Sequence, residues 1–150
     1  MELIIFEFLN GTYAIELSKT KVILVYKNTM ITPVAIEKPW ILGFTNLRGE
    51  VTPVVDLRIK FSKEKPNYFE DTVIIVVKTD EDKLMGIVID KIKETKAVDV
   101  DDLSMTPDMS LGMDPKYIRG LKKDGKDMIA ILDIDTVLNI EELVGGGEEL

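Results

Sequence analysis

Catalysis requires an activatable nucleophile, a base that titrates near neutrality or a set of metal ligands. The 150-residue sequence contains neither His nor Cys, the residues that most often fill these roles. Thiol, Ser-His and Cys-ligated zinc chemistry are therefore excluded, as are disulfides. Two acidic clusters, Asp80-Glu81-Asp82 and Asp99 with Asp101 and Asp102, offer oxygen ligands to a hard cation. Neither has the alternating ligands, central Gly and closing Glu of a calcium loop, and both read as solvated turns. The serines, Ser18, Ser62, Ser104 and Ser110, lie in no GxSxG elbow, and a Ser-Lys dyad is the nucleophile that composition leaves open. No GxxxxGK[ST] or GxGxxG loop is present to cradle a phosphate. Asn10-Gly11-Thr12 matches a glycosylation acceptor, yet it falls where a hairpin turn is expected. The sequence thus predicts no catalytic centre, no metal and no cofactor.

The bulk properties favour a different class of function. Nineteen Lys and Arg against 27 Asp and Glu give a net charge of −8, a field that repels polyanions, so nucleic acid and anionic lipid are poor partners. A hydrophobic share of 45% supplies a core and is too high for a disordered chain. The segment Met1-Glu2-Leu3-Ile4-Ile5-Phe6-Glu7 has no basic region, and its apolar run is too short for a signal peptide or a bilayer span. A cytoplasmic protein without direct membrane insertion is expected. Apolar surplus without a ligand motif points to sheet edges or grooves that other proteins cover, hence to a binding module.

The elements that would position such surfaces are short strands. Apolar residues alternate or cluster in runs bounded by turn residues, and no long stretch keeps a helical period, so the chain is expected to be mainly β. Ile4, Phe6 and Phe8 share one face of a first strand, and Asn10-Gly11 supplies the positive-φ pair of a hairpin turn. Lys21 to Tyr26 is apolar on both faces, one for the core and one for something else. Glu37 to Leu42 is expected to form one helical turn with Trp40 inward, and Arg48-Gly49 to turn a second hairpin. Asp56 is placed to cap a short helix from Leu57 to Phe61, and Asp133 another that runs to Leu138. Residues 101–115 read as a long loop, and residues 144–150 as a flexible tail. A constant offset of 77 residues separates Gly43 from Gly120 and Asp56 from Asp133, so the unit of hairpin, apolar strand and Asp-capped helix occurs twice. Residues 1–150 are therefore expected to form a single domain of two pseudo-symmetric β lobes. The polar stretch 62–71 is the expected division, and strand exchange between the lobes is allowed for.

Gly43-Phe44-Thr45-Asn46-Leu47-Arg48-Gly49-Glu50 continuing into Pro53-Val54-Val55-Asp56-Leu57-Arg58 closely resembles the signature segment of the CheW family of bacterial chemotaxis coupling proteins. The resemblance extends through Phe6 to Ile15, Thr72 to Val77, Gly86 to Asp90 and Tyr117 to Leu121. It implies two pseudo-symmetric five-stranded SH3-like β-barrels packed together, with short helical turns. It also implies a non-catalytic scaffold in the cytoplasm, associated with receptor arrays at the inner face of the membrane. Such a scaffold couples the cytoplasmic tips of chemoreceptors to the regulatory domain of a CheA-type histidine kinase. An adaptor of another chemosensory-type pathway, similar to CheW or CheV, is the alternative.

The resemblance also assigns residues. Arg48 matches the family's signature arginine, and a guanidinium at a hairpin tip offers five fixed donors across an interface. Asn46 and Gly49 beside it are expected to be structural. The family usually carries a glutamate in the strand Lys21 to Tyr26 able to pair with that arginine; here Val22 or a near neighbour stands there, so Val22 and Ile23 become the partner-binding candidates. Ile92 and Thr95 match positions beside the receptor-binding groove between the lobes. Gly120 matches a glycine where a side chain would block close backbone approach.

Overall fold

The computed structural model describes residues 1–35, 38–62, 66–104 and 114–139. Ten strands run in the order β1 (Glu2–Phe8), β2 (Gly11–Glu16), β3 (Thr20–Val25), β4 (Ile41–Leu47), β5 (Glu50–Val55), β6 (Val73–Lys78), β7 (Leu84–Ile89), β8 (Lys91–Ala97), β9 (Ile118–Asp124) and β10 (Asp127–Leu132). Helix α1 (Leu57–Ser62) follows β5, and α2 (Ile134–Val137) follows β10. The strands form two five-stranded sheets, β3-β6-β7-β5-β4 and β8-β1-β2-β10-β9, the first and second lobes of an SH3-like pair of barrels. Strands β4 and β5 and their counterparts β9 and β10 are offset by the repeat spacing at both ends, and each lobe has one parallel pairing, β5 with β7 and β10 with β2.

Alternation along the strands builds three apolar layers. In β1, Leu3 and Ile5 point into the second lobe while Ile4, Phe6 and Phe8 face a shared central core; in β6, Ile74 and Val76 point into the first lobe while Ile75 and Val77 face the centre. Strands that serve two layers must be apolar on both faces, so their runs look continuous in the sequence. Register follows from the same pattern, because a one-residue slip would exchange the layers. Among the described residues, no buried side-chain nitrogen or oxygen lacks a partner.

Several expectations change. The stretch 62–71 does not divide the lobes: β4 and β5 before it and β6 and β7 after it belong to one sheet. In its described part, the Asn67 carbonyl and the Tyr68 hydroxyl bond back to Arg58 and Asp56 of the first lobe. The lobes meet covalently at the 3-10 turn Leu17–Lys19 and at Asp90, and the N-terminal hairpin β1-β2 lies in the sheet of the C-terminal strands.

The first hairpin turns on Leu9 and Asn10, with φ of 52° and 60°, one residue earlier than expected. Gly11 instead opens β2 opposite Phe8, where its missing side chain leaves room for the Tyr13 ring packed edge-on against Phe8. Ile41 and Leu42 are strand and not helix, and the turn before them closes through Ile41 N–H to the Lys38 carbonyl at 3.0 Å. Trp40 does pack inward against the central core, with the ammonium groups of Lys38 and Lys60 over its ring. The 105–113 part of the expected loop and the 144–150 tail lie outside the described residues.

Candidate functional site

The signature segment builds a foundation and a tip. At the foundation, Asp56 follows β5 and its Oδ1 accepts from the Arg58 backbone N–H at 3.1 Å, the expected cap of α1. The Arg58 side chain then folds back on the same carboxylate, with Nε 2.9 Å from Oδ1 and Nη2 2.8 Å from Oδ2. Its Nη1 reaches Asp90, and the Tyr68 hydroxyl donates to Asp56 Oδ2 at 2.7 Å. Asp56 is fully buried and Arg58 nearly so. Burial disfavours the Arg58 charge, but the bonds to Asp56 and Asp90 outweigh it and hold the guanidinium's pKa above its ordinary value. Burial, then the bond to Asp56, also raises Tyr68 above the usual phenol range. The ring of Tyr68 stacks on Tyr26 with centroids 4.4 Å apart.

At the tip, Arg48 and Gly49 turn the β4-β5 hairpin with φ of 51° and 84°. Both positions take positive φ, the geometry of a two-residue turn matched to strand twist. Asn46 closes the turn, its Oδ1 accepting from the Gly49 N–H at 2.8 Å. Asn46 and Gly49 are thus structural in the turn, and Arg48 is not needed to lock it. Arg48 is exposed, and among the described residues its guanidinium has no hydrogen bond or ion pair.

A groove of about 350 Å³ opens beside the tip, lined by Val22, Leu47, Arg48, Glu50, Lys78 and Leu84 among others. Val22 and Arg48 are therefore brought together. Ile23, next along β3, points the opposite way and is exposed with Val25 on the outer face of this edge strand. Sequence reasoning missed Glu50 and the pair Lys78–Asp82, joined at 2.8 Å. That bond holds the Lys78 ammonium above its ordinary pKa. Glu50 was readable as the residue flanking the turn; Lys78 ends β6, Asp82 lies in the β6-β7 loop, and they meet the tip only in the folded sheet.

Ile92 and Thr95 lie on the other lobe, in the edge strand β8. Three residues apart, they would face opposite sides of a straight strand. Lys93 is an extra residue in the pairing with β1, so Ile92 opposes Phe6 and Thr95 opposes Ile4. The bulge puts both on the side of the central core: Ile92 packs against that core and Thr95 is exposed at its rim.

Gly120 is buried in β9, and a Cβ there would meet Leu103 Cβ and Cδ1 at 3.3 Å. Within the chain this close approach is to the segment paired through Ser104 and Leu121. Gly120→Glu would bury a carboxylate at that contact and is expected to lower the thermal midpoint steeply, measured by circular dichroism. A stable, binding-deficient variant would return Gly120 to an interface.

Among the described residues no group of His, Cys, Asp or Glu is gathered to hold a metal ion, and no helix is long and apolar enough to cross a membrane. Residues 2–142 match the family model of the CheW-like domain. The chain is 32% identical over 142 residues to the chemotaxis protein CheW of Klebsiella aerogenes, covering 95% of this chain and 84% of that one. It is 27% identical over 148 residues to CheW of Treponema pallidum, with the same coverage. Its fold is shared with the scaffolding protein TtCheW from Thermoanaerobacter tengcongensis at a TM-score of 0.78 and 23% identity, over 89% of this chain and 84% of that one. Since the family match runs through both lobes and both copies of the repeated hairpin, the chain belongs to the CheW-like domain family of non-catalytic chemotaxis scaffolds.

Proposed function

We propose that the chain couples the cytoplasmic tips of chemoreceptors to a CheA-type histidine kinase, in the cytoplasm at receptor arrays on the inner face of the membrane. The Arg48 groove takes the regulatory domain of the kinase, and the seam beside Ile92 and Thr95 takes the helical receptor tip. The observation that carries the reading is the Arg48 guanidinium, exposed and without a partner among the described residues at the end of a turn that Asn46 already closes. A fork of donors presented on a rigid hairpin, beside the apolar Val22, Leu47 and Leu84, suits a protein surface offering a carboxylate or free carbonyls.

Calorimetric titration with the regulatory domain of the kinase tests it. Arg48→Ala is expected to weaken binding by about 2 kcal/mol, roughly 30-fold, because a charge-assisted contact is lost at the interface. Its thermal midpoint should stay nearly unchanged, since substitution of an exposed, unpaired side chain shifts stability by about 0.5 kcal/mol or less. Binding unaffected by the change would move the interface off the hairpin tip; no binding by the parent protein would remove the kinase as partner.

A further inference from the structure

Among the described residues the chain passes between the lobes twice, and each passage is tied to both lobes by directional polar contacts. At the first, Lys19 places Nζ 2.5 Å from Asp135 Oδ2 in α2 of the second lobe and 3.1 Å from Asp80 Oδ1 in the first. Asp80 also donates its backbone N–H directly to Asp135 Oδ1 at 2.6 Å, across the seam. Lys19 and Asp135 are each only about a quarter exposed, so these bonds are partly shielded from water. Glu16, just before this passage, is paired with Arg119 of β9. At the second passage, Asp90 receives Arg58 from the first lobe while its own N–H donates to the Glu7 carbonyl in β1 of the second, at 3.2 Å.

The two ties sit at opposite ends of the β1-β2 hairpin. Glu7 pairs with Thr12 near its turn, and Glu16 pairs with Leu3 at its open end. Four residues of strand separate Thr12 from Glu16, about 14 Å. The apolar core between the lobes is non-directional and by itself permits shear or rotation of one sheet over the other. Two directional ties this far apart oppose the turning of one sheet over the other.

We infer that the Lys19–Asp80–Asp135 and Arg58–Asp90 ties fix the angle between the lobes and thereby set the width of the seam beside Ile92 and Thr95. Lys19 and Asp135 are on this account positioning residues, touching no partner themselves. The consequence for receptor binding rests on the coupling function proposed above; the lobe angle does not.

The absence of native Cys makes the test clean. Nitroxide labels on Val51→Cys in β5 and Lys123→Cys in β9, both exposed strand positions, report the distance between lobes by pulsed electron spin resonance. The otherwise unaltered chain is expected to give one narrow distribution, and the added changes Lys19→Met and Asp90→Asn to widen it about twofold as the lobes gain hinge freedom. Should the doubly changed chain fail to fold by circular dichroism, Lys19→Met alone is read in its place. An unchanged distribution in a folded variant overturns the inference. In parallel titrations Lys19→Met is expected to weaken receptor-tip binding and leave binding to the kinase regulatory domain, which the first lobe alone provides, unchanged. A parent protein that binds neither partner overturns the coupling function, and the distance distribution still decides the ties.

Discussion

Arg58→Met is expected to lower the free energy of unfolding by about 3–5 kcal/mol, the usual consequence of removing one partner from a buried ion pair. Asp56, fully buried, would lose both side-chain bonds from the guanidinium and keep only the Tyr68 hydroxyl and the Arg58 backbone N–H. Methionine fills most of the same space, so the effect measures the stranded carboxylate rather than a cavity. Urea unfolding followed by tryptophan fluorescence reads it directly, since Trp40 lies against the core and its carbonyl accepts from the Asp56 N–H at 2.7 Å. For a chain of this length the thermal midpoint should fall on the order of 10 °C. Changing Asp56→Leu together with Arg58→Met removes charge from both sides, and the pair should cost less than Arg58→Met alone. Additive losses would mean that the two side chains act independently, contrary to the bonds between them.

That network shows where sequence reading reaches its limit. Asp56 was legible as a helix cap, because the cap is a local bond to the N–H two residues on. Its larger role was not, since Tyr68 reaches Asp56 from 12 residues on, Asp90 reaches Arg58 from 32 residues on, and only the fold joins them. The strands were legible because alternation is a property of each strand alone. The lobe boundary was not, because polarity at 62–71 records exposure to water and says nothing about which strands pair on either side. The Lys93 bulge is a further case: it puts Ile92 and Thr95 on one face, and no feature of the local sequence marks it. At the tip, Arg48-Gly49 was readable as a turn, while the freedom of Arg48 depended on seeing Asn46 make the closing bond.

The largest single effect is expected from the smallest change, Gly43→Ala. Gly43 lies in β4 with φ of 145°, a region that side-chain-bearing residues rarely enter. A Cβ built there falls 2.0 Å from the Thr32 carbonyl oxygen and 2.7 Å from its carbon, backbone atoms held in place because Thr32 and Phe44 exchange hydrogen bonds at 2.8 and 2.9 Å. Relief would require breaking that bridge and straightening the bulge at Leu42, so the loss should exceed about 4 kcal/mol, the range reserved for gross steric or backbone conflict. Gly120, its counterpart in the repeat, provides the control. There an added Cβ meets Leu103 Cβ and Cδ1 at 3.3 Å, a contact relieved by a shift of a few tenths of an ångström in the Leu103 segment, and Gly120→Ala should cost about 1–2 kcal/mol. The two melts, measured side by side, separate an architectural glycine from one that only eases packing. Because β4 carries the chain directly to Arg48, Gly43→Ala should also abolish kinase binding, whereas Gly120→Ala, on the other lobe, should retain it. Equal losses in the two variants would mean that the Thr32 segment can yield, and that the β4-β5 hairpin is held less rigidly than its bridge to Thr32 implies.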